Sequence, residues 1–83
     1  MDPIFESSYL GFKTSVYKNR VEFKSLGIET KIIPIDKIAS ITLPMWGVMK
    51  ITLVAVSGER IDIPTRKKKE LRDAVYKAQE NTQ

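Results

Sequence analysis

The sequence predicts a mainly β domain: an antiparallel β-sandwich or open barrel of six or seven strands with one C-terminal α-helix. Three observations carry this expectation. Segments with apolar residues at every second position recur over residues 9–64, the period of half-buried strands. Turn-forming residues separate them at hairpin spacing: Lys18-Asn19, Gly27, Pro34 and Gly58. After Pro64 the period changes, and Leu71, Ala74, Val75 and Ala78 fall on one helical stripe.

Composition bounds the rest. Eighty-three residues make one domain, read as an N-terminal arm over 1–8, a sheet region over 9–64 and a helix over 65–80. There is no cysteine and no histidine. That removes disulfides, thiolate ligands and the commonest general base and metal ligand, so no metal and no cofactor is expected. No apolar run approaches the roughly 18 residues of a membrane span, and Met1-Asp2-Pro3 does not open a secretory signal. A cytoplasmic protein, free or peripheral at a membrane, is the expectation. Fourteen Lys and Arg against ten Asp and Glu leave a net charge of +4, which permits acidic partners without requiring them.

The arm contains Pro3, Ile4 and Phe5 and either adds an edge strand or covers an open side. The first strand is read over Tyr9 to Tyr17, with Leu10, Phe12, Thr14 and Val16 on one face. A two-residue turn at Lys18-Asn19 sets Val16 opposite Val21 and Thr14 opposite Phe23, with Asn19 suited to left-handed geometry. Leu26-Gly27-Ile28-Glu29 turns into a strand over Thr30 to Ile35. Pro34 has no N–H for a ladder and marks a strand edge or end. Ile35 and Ile38 bracket the polar turn Asp36-Lys37, after which a strand runs from Ala39 to Leu43. Pro44-Met45-Trp46-Gly47 is a loop. The next strand, Val48 to Ala55, puts Met49, Ile51, Leu53 and Ala55 on one face, and Glu59 to Ile63 follows. A three-residue loop, Val56-Ser57-Gly58, pairs Leu53 with Ile61 and Ile51 with Ile63. A two-residue loop would invert one apolar face, so Gly58 takes the left-handed position that closes the turn. Thr65 is the expected helix N-cap.

The segments Lys18-Asn19-Arg20-Val21-Glu22-Phe23, Ile33-Pro34-Ile35-Asp36-Lys37-Ile38-Ala39-Ser40-Ile41, Ile51 to Gly58 and Ile61-Asp62-Ile63 are one set. With the helix Leu71 to Ala78, they resemble a bacterial pleckstrin-homology-like (PH-like) domain, related to PH and GRAM domains. The similarity covers about Leu10 to Gln79 and contains no catalytic signature. It implies a bent antiparallel sheet plugged by the helix, and assembly in preference to lipid specificity. Other small barrels, Sm-like or OB-like, accommodate a terminal helix less well.

The carboxylates are scattered at alternating positions, and no phosphate loop, metal spacing or nucleophile motif is present, so no enzymatic activity is expected. Met45 and Trp46 are partner-binding candidates, being residue types enriched at interfaces. Trp46 folded back as a lid over the barrel end is the plainer account. Arg66, Lys67, Lys68, Lys69 and Arg72 are anion-binding candidates, joined by Lys18 and Arg20 in the first hairpin. Cations at a helix start oppose the macrodipole, so they mark either a solvated face whose stems shield the helix junction or a site for acidic lipid or phosphate. The leading expectation is a non-catalytic intracellular binding or assembly module, engaging a protein partner or itself through a sheet edge or the Met45-Trp46 loop. The second is a peripheral binder of anionic membrane or phosphorylated ligand. The third is a small nucleic-acid-binding barrel, for which +4 is a weak charge.

Overall fold

Alternating side chains build two antiparallel sheets, and a computed structural model describes them over residues 2–25, 29–43 and 47–81. The first sheet runs in the order β1 (Phe5–Tyr9), β2 (Phe12–Val16), β3 (Arg20–Ser25) and β4 (Glu29–Pro34). A 3₁₀ turn at Ile35–Lys37 leads to the second: β5 (Ile38–Thr42), β6 (Lys50–Ala55) and β7 (Arg60–Pro64). Helix α1 (Lys68–Asn81) follows. Among the described residues no helix is long and apolar enough to cross a membrane.

The N-terminal arm adds an edge strand, as one of its two expected roles: Phe5 to Ser8 belong to β1. The single strand expected over Tyr9 to Tyr17 instead reverses at Leu10 and Gly11. Both have positive φ, 52° and 84°, and Tyr9 pairs with Phe12 across them. Gly11 adopts this conformation without steric cost. A two-residue turn inverts side-chain parity, so that Phe5, Ser7 and Tyr9 face Val16, Thr14 and Phe12, and Leu10 shares the even parity of Phe12, Thr14 and Val16 in sequence while standing outside the strand. Seven strands result.

Two registers follow the apolar faces. Val16 lies opposite Val21 and Thr14 opposite Phe23, with the Tyr17 N–H donating to the Arg20 carbonyl at 2.8 Å around Lys18-Asn19. Neither turn residue has positive φ, so the left-handed tolerance of Asn19 is not used. Leu53 lies opposite Ile61 and Ile51 opposite Ile63. Gly58 closes that loop at φ 95°, its N–H donating to Ala55 at 2.9 Å.

Ile35 and Ile38 are both buried on either side of exposed Asp36-Lys37. The register slips between Ile38 and Ser40, and this bulge lets Ile38 and Ile41 both turn toward the core although three residues apart. Val16, Val21 and Ile33 from the first sheet join Ile51, Leu53 and Ile63 from the second, with Leu71, Val75 and Ala78 of α1, in one cluster. The strand expected from Val48 starts instead at Lys50, and Met49 is 46% exposed, not inward. The helix starts at Lys68, three residues later than expected. Thr65 is buried before it, its Oγ1 accepting the Lys67 N–H at 3.0 Å and lying 3.4 Å from Ser7 Oγ.

Candidate functional site

Backbone hydrogen bonds fix which groups each outer strand leaves unused. The Ile35 N–H donates to the Asn19 carbonyl at 2.9 Å. Antiparallel alternation from that bond turns the backbone groups of Ile33 and Lys31 toward β3, and those of Thr30 and Ile32 away from it. Pro34, also on the outward set, has no N–H. β4 is the last strand of its sheet, and Thr30, Ile32 and Pro34 are all exposed, Ile32 by 57%.

On the other outer strands, the helix lies against β1 as it does against β2, and Gln79 Nε2 donates to the Ile38 carbonyl of β5 at 3.0 Å. On β7, the bond from the Ala55 N–H to the Glu59 carbonyl turns Ile61 and Ile63 toward β6. Its outward groups therefore belong to Arg60, Asp62 and Pro64; the two charges discourage strand pairing, and Pro64, like Pro34 on β4, withholds an N–H. The outward set of β4, Thr30, Ile32 and Pro34, is exposed and carries no charge.

The basic candidates separate into two places. Arg66 lies over the Tyr9 ring at 5.1 Å, and Lys68 Nζ donates to the Val48 carbonyl at 2.7 Å. Lys67 and Lys69 are exposed. Arg72 pairs with its neighbour Asp73 at 3.2 Å. Lys18 is exposed in the other hairpin, and Arg20 is occupied there: its Nε meets Glu22 Oε2 at 2.6 Å and its guanidinium stacks 4.0 Å from the Tyr17 ring. Tyr9 adjoins the start of β2 and Tyr17 its end, roughly 16 Å apart along a five-residue strand. Lys18 and Arg20 are thus not part of the cluster at Arg66 to Lys69. Met45 and Trp46 lie outside the described residues.

A cleft of about 330 Å³ opens between the sheets, with Phe23 and Ile61 as its apolar walls and Lys31, Arg60 and Asp62 at its rim. Lys31 is ion-paired to Glu59 across it. Asp62 accepts a hydrogen bond from Thr52 Oγ1 at 2.7 Å and lies 3.8 Å from Lys50 Nζ. The Thr52 hydroxyl holds the Asp62 carboxyl below its ordinary 3.8 against the opposing desolvation, and the Lys50 and Arg60 charges add to the lowering. A lowered native value stabilises the fold above the ordinary value and ceases to do so as pH falls through the lowered one. The melting-temperature gap between the parent and Asp62→Asn should therefore close as pH is taken below 3.8. A gap that widens on acidification would contradict this linkage. Among the described residues no three acidic side chains gather as a metal site requires.

Sequence reasoning missed the turn position of Leu10, the outward set of β4 and the stacking of Arg66 on Tyr9. The alternation of Phe5, Ser7 and Tyr9 up to Leu10-Gly11 held the signal for the hairpin. The Arg66 contact joins residues 57 apart and had none. Comparison with protein-family models and with curated proteins returns no match.

Proposed function

We propose that the chain is a non-catalytic assembly module that adds an extended strand to the outer edge of β4, the strand being β4 of a second copy. The observation that carries this reading is the outward set Thr30, Ile32 and Pro34, exposed and uncharged on the outer strand of the first sheet. Strand addition uses such an edge for main-chain hydrogen bonds and its side chains for specificity. Antiparallel pairing about Ile32 brings that side chain against its own copy, burying apolar surface on both. The PH-like resemblance supports the same reading, since it implies assembly. A cysteine-free composition fits action in the reducing cytoplasm.

Light scattering over a dilution series tests it. The parent should give a dimer mass that falls toward monomer on dilution. Thr30→Pro removes an N–H that makes no bond to β3, and Ile32→Lys puts a charge on the edge. Each should be monomeric at every concentration with an unchanged fold by circular dichroism. A parent monomeric throughout, or variants that dimerise as the parent does, would reject strand addition between copies.

A further inference from the structure

The end of the molecule around the β1–β2 turn combines features that no part of the β4 edge shares. Leu10 is 71% exposed at the tip of a two-residue turn, in a left-handed conformation (φ 52°) that an L-residue with a bulky side chain adopts at a cost. Asparagine or glycine suits that position better, so folding alone does not explain a leucine there. Tyr9, its neighbour, lies under the Arg66 guanidinium. From Arg66 the contacts continue: the Thr65 N–H donates to the Met49 carbonyl at 3.1 Å, and Lys68 reaches the Val48 carbonyl. Val48 and Met49 are 37% and 46% exposed. Exposed apolar side chains and the four consecutive cations Arg66 to Lys69 therefore belong to one region.

Those cations are not neutralised. Among the described residues none of the four is in an ion pair, like the dispersed Lys18, Lys24, Lys37, Arg60 and Lys77 and unlike Lys13, Arg20, Lys31, Lys50 and Arg72; what distinguishes the four is that they are consecutive. Lys68 is instead held against a backbone carbonyl and Arg66 against a ring. Basic side chains bordering exposed apolar ones match the interface of an anionic bilayer, where headgroups meet the charges and the boundary of the acyl region takes the apolar groups. A nucleic-acid backbone would satisfy the cations but has no use for Leu10.

We infer that the surface formed by Leu10, Val48, Met49 and Arg66 to Lys69 docks on an anionic lipid bilayer. It acts independently of strand addition at β4. The attraction is to surface charge, with a shallow apolar insertion, and requires no headgroup pocket.

Sedimentation with vesicles of phosphatidylcholine, with and without phosphatidylserine, tests it on the full chain. The parent should bind only the serine-containing vesicles, and added salt should weaken the binding. Lys67→Gln with Lys69→Gln should lower partitioning about fivefold per cation removed. Leu10→Asn is the decisive variant. Asparagine tolerates the left-handed turn, so the melting temperature should hold or rise while partitioning falls about tenfold with loss of the buried leucine. The inference is overturned if the parent ignores serine-containing vesicles, or if Leu10→Asn partitions as the parent does. It is also overturned if double-stranded DNA binds as tightly as the vesicles without dependence on Leu10, since the cations would then serve a soluble polyanion.

Discussion

Ile35→Ala should lower the unfolding free energy by about 2–5 kcal/mol, read as a lower urea midpoint at constant slope. Ile35 is fully buried in the 3₁₀ turn where the chain passes from the first sheet to the second. Its side chain shares the core with residues of both sheets, and its N–H is bonded to Asn19. Truncation leaves a cavity at the junction of two rigid ladders that cannot collapse into it. For 83 residues the whole stability is of the order of 4–12 kcal/mol, so the change removes a large part of it. The exposed neighbour Asp36 is the control, and Asp36→Ala should shift the midpoint little. Equal midpoints for parent and Ile35→Ala would mean that the two sheets do not share this core.

Leu71→Ala should cost a similar amount, about 2–4 kcal/mol. The helix offers a narrow apolar stripe in which Leu71, Val75 and Ala78 are fully buried. Of these Leu71 is the largest. An isolated helix of 14 residues is marginal in water. Its order depends on this contact, so loss of Leu71 should also reduce helical circular dichroism before global unfolding. Lys77→Ala, on the exposed side, should leave both signals unchanged. A melt in which the two variants coincide would contradict the packing of α1.

Much of this architecture was legible because burial is periodic. Leu53 opposite Ile61 followed from the cost of inverting a face, and Val16 opposite Val21 from the same argument. The bracketing of Asp36-Lys37 by two buried isoleucines was visible in the pattern. The Leu10-Gly11 reversal was missed: the inward phase changes across it from odd Phe5 and Tyr9 to even Phe12, Thr14 and Val16, but Leu10 shares the even parity and leucine is a poor advertisement for a left-handed turn. Met49 looked inward by parity, yet parity applies only once the ladder begins, at Lys50. Of the candidate sites, the basic run was visible as composition. Its separation from Lys18 and Arg20, and its proximity to Val48 and Leu10, depend on contacts between distant segments. The exposed edge of β4 depends on hydrogen-bond alternation, which a sequence pattern does not specify.

The most direct test of assembly through β4 is amide hydrogen exchange at Thr30 and Ile32, followed by NMR across a dilution series. In an isolated chain both N–H groups point away from β3 and exchange rapidly, while those of Lys31 and Ile33 are held in the ladder. Strand addition predicts that Thr30 and Ile32 become protected as concentration rises, with the same midpoint as the change in mass, and that Lys31 and Ile33 stay protected throughout. Rapid exchange of Thr30 and Ile32 in a preparation that light scattering shows to be dimeric would place the interface elsewhere and contradict the account.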